Sequence, residues 1–449
     1  MPLLLPEKAM SKVRGIAFWS LDAIQGGVVK KAYQELKKFD AMDSRSRWLS
    51  DYQKSALRKL LNHSKDTTKF YGNIHGIDLN NYPIVNKNII RPKQDDFISS
   101  KYRKSDLIKM YTSGSTGIPF ICYQNSEKKK RVNAEVIYYS GKVGYSLGRK
   151  LIYLRAVTRD KYKSKLLQWI QNETFIDVTN LNDKHIENIL NQIDKVSRAG
   201  SMIKCYSSTL DALHDYCGRK GIYAVGKGGV YGVVSGAEML FDDIRNDITK
   251  IFQCHCYSRY SNQENGVIGQ DDTENNVFIL NEAHYIVEIF KMDADELGKE
   301  GELGRIVVTD LYNFAMPMIR YDTGDIGSVA FVKRNGVNKR AITNFGGRRV
   351  DMIYDCKGNL LSPHIITINF WQFPEIEQYQ FIQESKMEYT VKINTEREFF
   401  IREEIKALLK KLLGDNASIN IETVEEIPVL ASGKRKYIVN KMLSNTKYN

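Results

Sequence analysis

The run Tyr111-Thr112-Ser113-Gly114-Ser115-Thr116-Gly117-Ile118-Pro119 constrains this chain more than any other stretch. It comes directly after Leu107 to Tyr111, a short apolar segment that reads as a strand. Glycine lets a backbone approach a ligand closely, and Ser and Thr hydroxyls add donors to the backbone N–H groups. Phosphate oxygens need that chemistry. The Walker pattern Gly-x-x-x-x-Gly-Lys-Ser/Thr is absent from the sequence. By itself such a loop is equally a surface turn, so its meaning depends on the rest of the chain.

A chain of 449 residues exceeds what one compact core usually holds and points to two or more domains. With 42% hydrophobic and 27% charged residues, disorder as a whole-chain state is excluded. Helix-like and strand-like stretches alternate. Asp51 to His63 and His185 to Val196 have helical periodicity, while Leu151 to Leu154, Tyr231 to Val234 and Arg305 to Thr309 read as strands. The alternation predicts an α/β body with several sheets. Past Gly346-Gly347-Arg348-Arg349 the pattern changes. A strand pair, Tyr389 to Ile393 and Ser418 to Ile421, flanks an amphipathic helix from Ile401 to Leu413, enough for a small α+β domain.

Lys plus Arg number 66 against 53 Asp plus Glu, a formal net charge of +13. The excess suits anionic partners such as nucleotides, nucleic acid, coenzyme A or an acidic membrane face. The basic residues are scattered, however, which also describes an ordinary soluble surface. The six cysteines form no Cys-x-x-Cys pair, so neither a redox dithiol nor a zinc ribbon is indicated, and Cys254-His255-Cys256 reads as half-buried strand. Met1 to Pro6 is too short for a secretory core, and no run reaches the roughly 20 apolar residues a membrane span needs. Glu7 to Phe39 reads as an amphipathic helix interrupted at Gly26-Gly27, packed on the body or touching a membrane surface. The expectation is a cytoplasmic protein, with peripheral contact at the inner face of the membrane as the alternative.

Further motifs succeed the loop in order along the chain. Ser235-Gly236-Ala237-Glu238, Tyr260-Ser261-Asn262-Gln263-Glu264, Tyr321-Asp322-Thr323-Gly324-Asp325, Gly347-Arg348 and Pro428-Val429-Leu430-Ala431-Ser432-Gly433-Lys434 complete a set spanning most of the chain. The set resembles the signatures of the adenylate-forming, acyl-CoA synthetase and luciferase-like superfamily. Ile319-Arg320-Tyr321, Phe70-Tyr71 and Tyr82-Pro83-Ile84 are most similar to the phenylacetate–CoA ligase branch, which includes relatives associated with capsule polysaccharide synthesis.

That resemblance implies a large multi-sheet adenylation domain over residues 1–348, then a small mobile α+β domain over 349–449. It implies ATP and Mg²⁺ as cofactors, a small carboxylic acid as substrate, and coenzyme A as a possible acceptor. An acid–amine ligase is the variant. Thr112, Ser113, Gly114, Ser115, Thr116 and Gly117 are implied to cradle phosphate, Thr116 also serving catalysis. Ser235, Gly236, Ala237 and Glu238 would back the adenine, with Tyr260 and Ser261 beside it, and Arg348 would pair with phosphate. Glu264 would hold magnesium, Asp325 would accept ribose hydroxyls, and Lys434 would be the catalytic lysine. Val350 and Asp351 would form the hinge. Tyr138, Tyr206, Ser207, Ser235 and Tyr257 are candidates for the acid pocket.

The residue types suit these roles on chemical grounds. A lysine between a carboxylate and an α-phosphate offsets the repulsion of two anions. One carboxylate with phosphate oxygens is a suitable shell for a hard cation, and one carboxylate can accept both protons of a diol. Three positions depart from the family pattern: Ile118 where lysine is usual, Val350 before Asp351 in place of paired acids, and Gln270-Asp271-Asp272-Thr273-Glu274 where many relatives carry a cysteine-rich segment. No structural zinc is therefore expected. Gly144-Tyr145-Ser146-Leu147-Gly148 fits a hydrolase elbow but precedes a strand, whereas such an elbow comes after one. A nucleic-acid partner is not expected. A degenerate, non-enzymatic relative remains open, as does oligomeric state, a homodimer included.

Overall fold

The computed structural model describes residues 7–112, 120–155, 163–178, 181–197, 199–236, 239–272, 274, 276–348, 353–361, 366, 369–370, 372–373, 375–395, 398–428 and 437–444. They fall into two compact units, Met1–Thr323 with Ser328–Asn344, and Gly324–Gly327 with Phe345–Asn449.

The first unit opens with helices α1 (Glu7–Ile24), α2 (Val28–Asp40) and α3 (Arg47–Thr67). Gly26 and Gly27 adopt φ of 96° and 68°, left-handed values that only glycine takes without strain, and they separate α1 from α2. Asp22 then caps α2 across the break, its carboxylate accepting from Val29 N at 3.1 Å and Lys30 N at 2.9 Å. Phe18 and Trp19 of α1 pack against the body, whereas Val13, Ile16, Leu21 and Ile24 are exposed. No helix among the described residues is long and apolar enough to cross a membrane.

After the short helix α4 (Lys87–Ile90) comes the hairpin β1 (Ile108–Thr112) and β2 (Phe120–Gln124), then α5 (Ser126–Lys142). Strand and helix alternate next: β3 (Lys150–Arg155), α6 (Lys165–Gln171), β4 (Glu173–Asp177), α7 (Asp183–Ser197), β5 (Ser201–Tyr206), α8 (Ser207–Lys220), β6 (Val230–Gly236), α9 (Asp242–Phe252) and β7 (Cys256–Asn262). Strands β8 (Gly266–Gln270), β9 (Phe278–Leu280), β10 (Tyr285–Phe290), β11 (Gly304–Asp310), β12 (Tyr321–Arg334) and β13 (Val337–Arg348) follow, Gly324–Gly327 of β12 and Phe345–Arg348 of β13 being counted with the second unit. The main sheet has the order β10-β11-β12-β13-β9-β8-β7-β6-β5-β3-β4, and β4, β3, β5, β6 and β7 pair in parallel.

Side chains alternate across this parallel section. Ile152, Leu154, Ile203, Cys205, Val233 and Cys256 point into one core cluster with α7, α8 and α9. Helix α7 joins it through Ile186, Ile189, Leu190 and Ile193, the spacing of one helical face. The opposite face carries Leu151, Met202 and Val234, ringed by Tyr145, Tyr153, Tyr231 and Tyr257.

The second unit contains β14 (Ile353–Tyr354), β15 (Leu360–Leu361), β16 (Gln378–Gln383), β17 (Glu388–Asn394), α10 (Glu398–Leu413), β18 (Ser418–Thr423), β19 (Ile438–Asn440) and α11 (Lys441–Ser444). Its sheet runs β18-β17-β16-β19, and Phe381, Val391, Ile393, Ile405, Leu409 and Leu413 close its core.

Candidate active site

Ligands of open α/β sheets sit beyond the carboxyl ends of parallel strands, and several residues of the sequence motifs gather there. Register places Tyr206 beside Gly236 and Gly236 beside Arg259, with Cys205, Ser235 and Ser258 one residue earlier. Ser207 and Ser235 hydroxyls stand 2.6 Å apart. Tyr260, near the end of β7, donates through its hydroxyl to Thr323 Oγ1 at 3.2 Å, and Thr323 Oγ1 donates to Ile306 O at 2.9 Å. Two of the sequence motifs therefore meet by a direct contact.

Glu264 lies in the turn between β7 and β8 and is almost wholly buried. Its Oε1 accepts from the Tyr321 hydroxyl at 3.0 Å and faces Lys87 Nζ at 2.7 Å. The turn is clamped from behind. Gln124 Nε2 donates to the carbonyls of Gln263 and Glu264, both at 3.3 Å, and the Tyr285 hydroxyl stands 2.8 Å from Asn265 O.

A buried polar network holds Tyr285 in turn. Glu135 Oε1 lies 2.7 Å from both the Tyr285 hydroxyl and His284 Nδ1, and Glu135 Oε2 accepts from Val267 N at 2.8 Å. Burial raises the Glu135 pKa, but Lys128 and His284 outweigh it and hold the carboxyl below its ordinary range. Lys128 is fully buried, 2.7 Å from Asp310 Oδ2. Gly266 has φ 130°, and a Cβ there would lie 2.3 Å from Glu135 Oε2. Glycine is thus required where the chain leaves the Glu264 turn.

Lys87 belongs to none of the sequence motifs. It is one lysine among many, and no local pattern sets it apart. Its place is set by backbone pairing: Val85 N donates to Arg320 O at 3.0 Å, and Asp322 N donates to Val85 O at 2.8 Å. Val85 is so pinned beside Tyr321, and the Asn86 side chain caps α4, which starts with Lys87.

Of the acid-pocket candidates, Tyr206 and Ser235 lie at the ends of β5 and β6 and Ser207 opens α8 directly after β5, whereas Tyr257 is second in β7, paired with Val234 and packed with Leu151 and Met202. Tyr138 is not brought to them. It stacks edge-on with Tyr33 and Tyr139 and lines a small cavity with Asp40, Glu282 and Lys339. Ser261 sits next to Tyr260 on β7, Asp325 lies buried on β12, Thr112 ends β1 and Arg348 ends β13. Ser113 to Gly117, Thr116 included, Ala237, Glu238, the hinge residues Val350 and Asp351, and Lys434 lie outside the described residues.

A magnesium ion fits the donor set at Glu264. A single buried carboxylate is a hard oxygen ligand, and among the described residues no cluster of three His, Cys, Asp or Glu is arranged as a cage. Such an ion would arrive with its nucleotide. In the Cys254-His255-Cys256 segment only Cys256 belongs to a strand. Burial pushes the Cys254 thiol up to about 12. Cys122, near the Glu264 turn, is likewise raised, first by burial and then by the Glu264 charge, so it is no thiolate nucleophile.

Comparison with known proteins places this geometry in context. Residues 353–441 match the model of the CapK C-terminal domain. Protein CapK of Staphylococcus aureus is 25% identical over 441 residues, covering 92% of this chain and 93% of that protein. Among solved structures, 2-hydroxyisobutyryl-CoA ligase in the postadenylation state, in complex with 2-HIB-AMP, superposes with a TM-score of 0.69 at 15% identity over 87% of this chain and 90% of the other. ATP-bound MatB from Rhodopseudomonas palustris gives a TM-score of 0.54 at 14% identity, covering 78% of this chain and 70% of the other. The chain has the fold of the adenylate-forming ligases, and its residues 353–441 are similar to the CapK C-terminal domain.

Proposed function

We propose that this protein is an ATP-dependent ligase that activates a carboxylic acid as acyl-AMP and passes the acyl group to an acceptor, coenzyme A first among them. The observation that carries the reading is the buried Glu264 carboxylate, fixed by Tyr321 and clamped from behind by Gln124 and Tyr285, at the end of the parallel sheet. A carboxylate held this way offers one oxygen ligand to a nucleotide-borne magnesium ion, which when bound would neutralise phosphate charge.

In the first step a carboxylate oxygen of the acid attacks the α-phosphorus of ATP, and pyrophosphate leaves. Lys434 would place its ammonium between the two anions and stabilise charge developing on the phosphoryl oxygens. Asp325 would accept the two ribose hydroxyl protons. In the second step the acceptor attacks the acyl carbon and AMP departs.

The likeness to CapK along nearly the whole chain, with the resemblance to capsule-associated relatives, favours a second acceptor class. An amine or hydroxyl of a sugar nucleotide or glycan would then replace the thiol, and transfer of AMP itself to a hydroxyl is a further outcome of the acceptor screen. The reading is tested by magnesium-dependent ATP–pyrophosphate exchange across a panel of acids. Exchange with at least one acid, lowered by orders of magnitude in Lys434→Ala while ATP still binds, is the expected result. Absence of exchange with every acid, from a folded protein, would leave the degenerate relative.

A further inference from the structure

On the sheet face opposite α7, α8 and α9, three cations come together and the described residues do not balance them. Lys204 of β5 is half-buried, its ammonium 5.9 Å from the Tyr153 ring. Arg259 of β7 and Arg155 of β3 both act on it electrostatically. The carboxylate in range is Glu173 of β4, which already pairs with Lys163 at 2.5 Å. Arg259 is 4% exposed. Its Nε donates to Gln270 Oε1 at 2.8 Å and its Nη2 to Ser140 Oγ at 3.4 Å, while its buried Nη1 has no hydrogen-bond partner among the described residues.

Among the described residues, the space above Gly236, next to Arg259, is open. Gly236 lies between Tyr206 and Arg259 in the sheet register. A Cβ built there would meet, among the described residues, just Arg259 O at 3.7 Å. Gathered cations, one with an unused guanidinium N–H, are costly to hold away from water without a counter-ion. An anion accepting from the guanidinium and the ammonium together would offset that cost through charge-assisted hydrogen bonds.

We infer that the acid taken by this site carries a second anionic group, carboxylate or phosphorus oxyanion, recognised by Lys204 with Arg259 and Arg155. The inference rests on the adenylation reading and names its substrate class. The substrate's far end is held by charge while its other carboxylate is left to react. Monocarboxylic acids would leave the three cations as they stand and bind without this contribution.

ATP–pyrophosphate exchange with matched acids tests it: butyrate against succinate and phosphonopropionate, and benzoate against phthalate and phosphonobenzoate. The carboxylate and phosphonate arms distinguish the two kinds of second anion. The expected result is a kcat/KM at least tenfold higher for a dianionic member than for its monoanionic match, with that ratio collapsing in Lys204→Met and falling in Arg155→Met. Both changes remove a charge and leave a side chain that packs. Monoanions used as well as or better than their matches would overturn the inference while the adenylation reading stands. If no acid supports exchange, the adenylation reading has failed, and thermal shift without ATP then decides the cradle by itself. Dianions that raise the melting temperature of the wild type and not of Lys204→Met support it, and the absence of any such selective shift overturns it.

Discussion

Lys87 Nζ stands 2.7 Å from Glu264 Oε1, the same oxygen that accepts from the Tyr321 hydroxyl. A lysine so placed competes with any metal ion for that carboxylate. Lys87→Met should therefore lower the magnesium concentration needed for half-maximal exchange, by severalfold. Glu264→Gln should instead cut exchange by roughly a hundredfold or more, since a neutral amide is a poor ligand for a hard cation. Magnesium titrations of the three proteins read both effects. An unchanged magnesium midpoint in Lys87→Met would show that the lysine does not guard the site.

Asp325 is buried on β12, two residues beyond the Thr323 that meets Tyr260. If it accepts the ribose hydroxyls, Asp325→Ala should weaken ATP binding by about 1–3 kcal/mol, the usual cost of leaving polar groups without a partner. The variant should also discriminate less between ATP and deoxy-ATP. Calorimetric titration with both nucleotides checks this, and unaltered ATP binding would relocate the nucleotide.

The Lys128–Asp310 pair is wholly buried, at 2.7 Å. Asp310→Leu would leave the Lys128 ammonium with the Tyr285 hydroxyl, 3.0 Å away, as its remaining hydrogen-bond partner among the described residues. A loss of about 3–5 kcal/mol in unfolding free energy is expected, because the buried ammonium loses its paired carboxylate and keeps Glu135 as the anion that acts on it. Urea denaturation measures it. Tyr285 also supports the Glu264 turn, so exchange should fall in the folded variant as well.

The Lys204 ammonium is pushed down to about 7 by burial, then by Arg259 and Arg155, against the opposing Glu173. Arg259 itself is lowered to about 10, mainly by burial, and stays charged at neutral pH. Lys204 is therefore charged below about pH 7 and neutral above it in the free protein. A second anion on the acid needs the charged form, so its affinity should be highest below that pH. It should then fall as pH rises through it, by up to about tenfold per pH unit, as binding takes up a proton. KM for the preferred dianionic acid, tracked from pH 6 to 9, should show this in the wild type and lose it in Lys204→Met.

Much of the architecture was legible because its causes are local. The break at Gly26-Gly27 comes from two left-handed residues, and α7 from Ile186, Ile189, Leu190 and Ile193 on one face. Motif order likewise led to Tyr260, Glu264 and Thr323. Lys87 and Lys204 were not legible, since each gains its meaning from partners far away in the chain that only sheet pairing brings near. Tyr138 shows the same limit from the other side. Each residue turns a helix by 100°, so small offsets in phase decide whether a tyrosine of α5 faces the strand ends or, as here, Asp40 and Lys339. The Lys128–Asp310 pair, closed across the fold between α5 and β11, had no sequence signature at all.

The central claim, that a carboxylate oxygen attacks the α-phosphorus, is tested most directly by isotope transfer. The acid that supports the fastest exchange is prepared with both carboxyl oxygens as oxygen-18 and turned over with ATP and an acceptor. The bond made in the first step joins a carboxylate oxygen to phosphorus, and the bond broken in the second joins that oxygen to carbon. Mass spectrometry should then find one heavy oxygen in each AMP released, one in each acyl product, and pyrophosphate without label. AMP free of heavy oxygen, or ADP and labelled phosphate in its place, would contradict acyl-adenylate formation.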